Sequence, residues 1–226
     1  MGRTGRTSRT RIQVGRVGQV GQVGLVKGDQ MPDDHSLLPP HGGYQKLRSF
    51  QAAQIVYDAT AVFCERFVDK RSRTHDQMIQ AARSGVRNIA EGSMASATSK
   101  KTEIKLTNVA RASLEELLLD YKDFLRHKRL PIWEKESLEA LAVRGKYRSE
   151  GSDKSDRSDE YDPYQIGTAS AEVAANTLIC LINQASYLLG RQLHNLEQKF
   201  LAEGGFTERL YRERRVRRNP ESDTSD

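Results

Sequence analysis

The chain has 226 residues, 37% of them apolar and 29% charged, which is enough for one core of respectable size and too polar for all of it to be buried. The formal net charge is +6, but Arg3, Arg6, Arg9, Arg11, Arg16 and Lys27 against Asp29 give residues 1–30 a charge of +5 and leave +1 for residues 31–226. Overall basicity therefore says little about a polyanion partner for the folded part.

The N-terminal extension, residues 1–43, contains IQVGRVGQVGQVGLV at 12–26, with glycine at every third position and no proline. That excludes collagen, and glycine at such density opposes helix and strand alike, so the extension is expected to be disordered. No apolar core follows its basic residues, so no signal peptide is expected. Pro39-Pro40 and Gly42-Gly43 break the chain before the first periodic segment.

Residues 44–130 predict three helices. The first runs from about Tyr44 to Val68, with Leu47, Phe50 or Gln51, Gln54 or Ile55, Ala59, Val62 or Phe63 and Phe67 at three-to-four spacing. The second opens on Thr74-His75-Asp76-Gln77, the pattern of a capping box. Met78, Ala82, Gly85 or Val86 and Ile89 face inward, Gly92 suits the C′ position, and 93–99 forms the turn. The third, from about Ser99 to His127, carries two adjoining apolar stripes, one through Leu106, Leu117, Tyr121 and Phe124 and one through Leu114, Leu118 and Leu125. Two stripes imply more than one buried flank. Pro131 marks its stop.

Residues 131–165 predict a short helix from Trp133 to about Val143 and then an acidic linker, SEGSDKSDRSDEYDP at 149–163, with six acids and two bases. Residues 166–205 predict a long fourth helix, Ile166 to Glu203, stopped by Gly204-Gly205. At full length it spans ~57 Å against ~42 Å for the third, so it either breaks near Gly190 or projects past its neighbours. Residues 206–226 form a charged tail, of which Arg209 to Arg218 is expected to fray. Val173–Gly190 lacks charge for 18 residues but holds Asn176, Thr177, Asn183, Gln184 and Ser186, which hydrocarbon would penalise, so no membrane span is expected. Cys64 and Cys180 sit on predicted apolar faces and read as buried free thiols of a reducing cytoplasm.

Long amphipathic helices without strands make the fold class all-α, an antiparallel up-down-up-down four-helix bundle with a disordered N-terminal tail and a long insertion between helices three and four. The third-to-fourth connection is long enough for a neighbour or a crossover.

The chemistry-bearing residues are sparse. Arg83 and Arg87 lie one turn apart, Lys100, Lys101 and Lys105 open the third helix, and Arg111 follows. Residues 66–111 hold ten bases and four acids, a local +6. Such clustering is what phosphate tracking needs, and it is equally what a solvated helical face looks like. No aromatic residues interleave with these cations as single strands prefer. Gly85 allows close helix approach, and Asn88, Glu91 and Gly92 complete a structural motif near the helix end, where Asn88 and Glu91 cap the helix or pair with Arg87 or Arg111. His35, His41, His75, His127 and His194 have no ligand spacing, Glu115 and Glu116 point to adjacent faces, and no Glu-x-x-His repeat, Walker loop, nucleophile elbow or CxxC occurs. No metal, no cofactor and no catalytic residue is implied.

The run QMIQAARSGVRNIAEG at 77–92, followed by ARASLEEL at 110–117, resembles the bacterial four-helix-bundle proteins encoded by intervening sequences of 23S rRNA genes. The accessory variability protein of diversity-generating retroelements is similar. The opening LPPHGGY at 38–44 and the long last helix resemble the variant with a four helix bundle suffix domain. The resemblance covers about Tyr44 to Leu130. It implies an up-down-up-down bundle and homo-oligomerisation. For the retroelement relative it also implies RNA and a reverse transcriptase as partners; for this chain RNA or DNA, and a reverse transcriptase or other protein, are the expected partner classes. It leads to a non-enzymatic oligomeric protein that binds nucleic acid or a ribonucleoprotein. Arg83, Arg87, Lys100, Lys101 and Lys105 are then the contact residues, with Arg111 beyond them. The alternative is a protein-interaction scaffold with no nucleic-acid role.

Overall fold

The computed structural model describes residues 42–149 and 164–218. The expected disorder of the N-terminal extension up to 41 and the acidic linker 150–163 lie outside the described residues. A short 3-10 helix, Tyr44–Lys46, leads into α1 (Arg48–Phe67), α2 (Arg73–Ala95), α3 (Lys100–Lys128), α4 (Leu138–Ser149), α5 (Ala171–Glu203) and α6 (Phe206–Arg218). The protein is all-helical, with no strand among the described residues.

Serines start most of these helices. Ser99 Oγ accepts the Thr102 N–H at 3.1 Å to open α3, and Ser170 Oγ accepts the Val173 N–H at 3.3 Å to open α5, each satisfying a backbone donor that the first turn leaves free. The capping box anticipated at Thr74 is not used. Ser72 caps α2 instead, its Oγ accepting the Thr74 N–H at 3.2 Å. Gly92 is not a C′ residue either. The helix runs on to Ala95 because Gly92 is buried against α3, where a Cβ would lie 3.3 Å from the Glu103 carbonyl oxygen and from Leu106 Cβ.

α3 ends two residues ahead of Pro131. Arg129 adopts a left-handed conformation, φ 56°, and the Leu130 N–H reaches back to the Leu125 carbonyl at 2.9 Å, the closing bond of a Schellman turn. The short helix expected from Trp133 begins only at Leu138. The Trp133 N–H is taken by Asn176 Oδ1 at 2.8 Å, and Ser137 Oγ accepts the Ala140 N–H at 3.2 Å. Asn176 also donates to the Pro131 carbonyl at 2.9 Å, so one buried amide of α5 pins the connection in extended form. α5 likewise starts later than Ile166, which sits in a turn held by Arg66 donating to its carbonyl oxygen. α5 passes through Gly190 without a break. The tail does not read as frayed, because 206–218 forms α6. Gly204, φ +72°, ends α5; the Gly205 N–H then donates to Glu208 Oε2 at 2.9 Å and Arg212 donates to the Glu203 carbonyl at 2.8 Å.

α1 packs on α2 and α5, α3 packs on α2 and α5, and α4 lies on α5. Between the four long helices lies one apolar core containing Phe63, Met78, Ile89, Leu114, Leu117, Tyr121, Leu178, Ile182 and Leu189. Phe63 is its aromatic hub, 4.9 Å from Tyr121 and 5.0 Å from Phe124 between ring centroids, both edge-on. Ala52, Ala53, Ala82, Ala110, Ala174 and Ala185 are buried between these larger side chains and let the backbones come close. Burying each large side chain stabilises by roughly 1.5–3 kcal/mol, so the core, not intrinsic propensity, holds these helices. α5 and α6 together are long and apolar enough to cross a membrane by length and composition, but more than half of the apolar window is buried within the protein.

Candidate nucleic-acid interface

α2 and α3 meet along a ladder of small residues. Gly85 faces Leu114 and Ala110, Ser113 Oγ donates to Ser84 Oγ at 3.2 Å, and Gly92 faces Glu103 and Leu106. Later residues of α2 thus meet earlier residues of α3. This register brings the exposed Arg87 of α2 towards the same end of the helix pair as the exposed Lys101 and Lys105 of α3, while the exposed Arg83, next to Ser84, is level with Ser113 at mid-helix. At ~100° per residue, Arg83 and Arg87 stand opposite the buried Ala82–Gly85–Ile89 stripe, and Lys105 opposite Thr107–Leu114. Among the described residues none of these four side chains is held by an ion pair or hydrogen bond.

One of the six candidate cations drops out. Lys100 is half-buried and paired with Glu103 Oε2 at 2.9 Å, and Glu103 is itself 8% exposed; the lysine neutralises a buried carboxylate rather than facing outward. Arg111 is exposed at mid-helix, one residue after Ala110, which meets Gly85, and is followed by Glu115 and Glu116. Glu91 does not pair with Arg87 or Arg111. It is exposed one turn beyond Arg87 and level with Lys105, so an acid interrupts the patch. Asn88 turns inward instead, donating to the Ser84 carbonyl at 2.8 Å and contacting Ser84 Oγ at 3.1 Å. Ser84, Asn88 and Ser113 make a polar seam between the two helices.

Charge changes sign along α3. Past Arg111 come Glu115, Glu116 and Asp120 before the next base, Lys122, and Asp123 is paired with Arg126 at 2.8 Å. The Asp120 carboxyl is pushed above the usual carboxylate range by burial, then by the negative charges of Glu116 and Asp123. A solvent-open groove of about 430 Å³ lies over this acidic half, lined by Arg73, Asp76, Gln77, Gln80, Ala81, Ser84, Ser113 and Glu116.

Neither thiol is poised for chemistry. Cys64 is buried and its pKa is raised to about 12, by burial first and the Asp120 charge second. Cys180 is half-buried and also raised by burial, with Arg144 opposing. Among the described residues no three His, Cys, Asp or Glu side chains come together as a metal site.

Sequence reasoning missed the arginines of α6, which it set aside as tail. The available signal was Arg214 and Arg218 at i,i+4 spacing with Tyr211 three residues earlier, a helical repeat inside an apparent charge run. Searches against family models, curated proteins and solved structures return no match to this chain.

Proposed function

We propose that this chain is a non-enzymatic, homo-oligomeric protein of the cytoplasm that binds nucleic acid or a ribonucleoprotein, its four long helices arranged as an antiparallel up-down-up-down bundle. The observation that carries the reading is the exposed, unpaired state of Arg83, Arg87, Lys101 and Lys105, which run from the middle of α2 to the α2–α3 turn. Cations free of partners and clear of the core are what phosphate contacts require. The family resemblance carried by residues 77–92 and 110–117 points the same way.

The test is binding of structured RNA followed across a salt series. Four phosphate contacts give a slope of about −3.6 in log affinity against log salt for a duplex. Replacing the four cations by glutamine should reduce the magnitude of the slope by about 3.6. Binding that ignores salt, or is absent at low salt, removes the proposal.

A second reading, a protein-interaction scaffold, is favoured by one feature. Ile132, Leu138 and Leu141 all stay substantially exposed around the start of α4, Leu138 at 83%, and an apolar surface of this kind suits a protein partner. Recovery of a defined partner from nuclease-treated lysate, lost in Leu138→Asp and kept in the glutamine variant, would select it.

A further inference from the structure

α6 is the most basic of the described helices. Its 13 residues, FTERLYRERRVRR, hold six arginines against two glutamates. Among the described residues of α6 none is buried. Glu208 is already engaged by the Gly205 N–H and Arg212 by the Glu203 carbonyl. These two bonds fix α6 to the end of α5 and remove one acid from the competition for the arginines.

The remaining cations are ordered, not scattered. At ~100° per residue, Arg214, Arg218, Tyr211 and Arg215 fall within an arc of ~100°, and no acid lies inside that arc. Tyr211 is 70% exposed in the middle of it. The α2–α3 patch has no aromatic residue among its cations; here one is surrounded by them. Arg209, on the far side, has Nε and Nη2 buried with no hydrogen-bond partner among the described residues. Like charges one turn apart repel, and nothing among the described residues offsets them.

We infer that α6 binds single-stranded nucleic acid, with Arg214, Arg215 and Arg218 following the phosphates and Tyr211 stacking on a base. A positively charged track with an exposed ring is the composition that sequence-tolerant single-strand binding uses, and guanidinium groups suit phosphate in fork geometry. An anionic membrane is the rival polyanion. It needs a continuous apolar face opposite the charges, and α6 offers only Phe206 and Leu210, both half-covered, and Val216. The inference goes beyond the α2–α3 reading, because either surface binds without the other.

The experiment uses the full chain and a fluorescent oligouridine, read by anisotropy across a salt series, with circular dichroism to show that each variant keeps its helix content. The combined Arg214→Gln, Arg215→Gln and Arg218→Gln variant should lose at least tenfold in affinity and flatten the salt slope by about 2. Tyr211→Ala should lose roughly tenfold with the slope unchanged, and the triple arginine-to-lysine variant should keep the slope. An α6 variant that binds as the parent does, with the same slope, overturns the inference, and loss in the Arg83, Arg87, Lys101 and Lys105 glutamine variant alone would then leave the α2–α3 proposal standing. The reverse pattern keeps this inference, and the α2–α3 proposal is then decided by its own structured-RNA series. A parent chain that ignores the oligonucleotide at low salt but binds vesicles containing phosphatidylserine overturns it in favour of a membrane.

Discussion

The Tyr121 hydroxyl of α3 donates to Thr60 Oγ1 of α1 at 3.1 Å, with both residues completely buried. It is a polar tie across an otherwise apolar core, and burial holds the phenol far above its ordinary pKa. Thr60→Val keeps the shape and strands the phenol, which should cost about 1–3 kcal/mol. Tyr121→Phe should cost less, because a helical threonine hydroxyl can turn to a carbonyl of its own preceding turn. The double variant should be more stable than the sum of the single losses predicts, since it leaves no orphan. Urea unfolding of the four proteins as a double-mutant cycle measures this; strict additivity would mean the tie carries no coupling.

Two glycines in long helices should respond in opposite directions to alanine. Gly190 of α5 has nothing within 4 Å of where a Cβ would stand, so Gly190→Ala gains helix propensity and should stabilise by about 1 kcal/mol. At Gly92 the same methyl meets a backbone oxygen and a Cβ at 3.3 Å, neither able to swing aside. There the alanine should destabilise by about 1–3 kcal/mol as α2 and α3 are forced apart. Thermal unfolding of both variants, compared with the parent, settles the signs.

These two glycines also show what the sequence could and could not reveal. Apolar periodicity located α1, α3 and most of α2 and α5, because burial of one face dominates each helix. Gly92 was misplaced because a glycine ending a periodic run looks the same whether it caps a helix or admits a neighbour; only the partner helix distinguishes them. The start of α4 was misjudged because Asn176, far away in sequence, removes the Trp133 N–H from local use. At the candidate interface, charge and helix phase were legible for Arg83, Arg87, Lys101 and Lys105. The burial of Glu103, which takes Lys100 away, was not, since a glutamate in a first turn ordinarily faces solvent. α6 was lost because a low apolar content hides helical order from any method that follows hydrophobicity.

Asn176 should prove the main brace of the α3–α4 connection. It is 1% exposed, receives the Trp133 N–H and donates to the Pro131 and Glu172 carbonyls. Asn176→Leu leaves backbone groups of 131 and 133 without partners and should cost about 2–4 kcal/mol. Hydrogen exchange should show the local consequence: protection of the Trp133 amide falls well before that of α1 or α2. If the Trp133 amide kept its protection, the brace would lie elsewhere.

Asp120 gives the protein a pH dependence whose sign is fixed by its surroundings. Burial, then Glu116 and Asp123, raise its carboxyl above the unfolded value of 3.8. The folded protein therefore binds this proton more tightly than the unfolded chain. The stabilisation that protonation brings is fully present below 3.8 and is lost as the pH climbs through the raised folded value. At neutral pH the ionised Asp120 is an unfavourable charge, placed among acids on α3 and facing the Cys64 thiol. Asp120→Asn should thus raise the midpoint of urea unfolding at pH 7, and the difference from the parent should shrink as the pH is lowered towards 3.8. Glu116→Gln should give a smaller gain at neutral pH and lower the pKa of Asp120, read from the carboxyl carbon shift in an NMR titration. An Asp120→Asn variant less stable than the parent at pH 7 would show that the carboxylate accepts a hydrogen bond worth more than the repulsion it suffers.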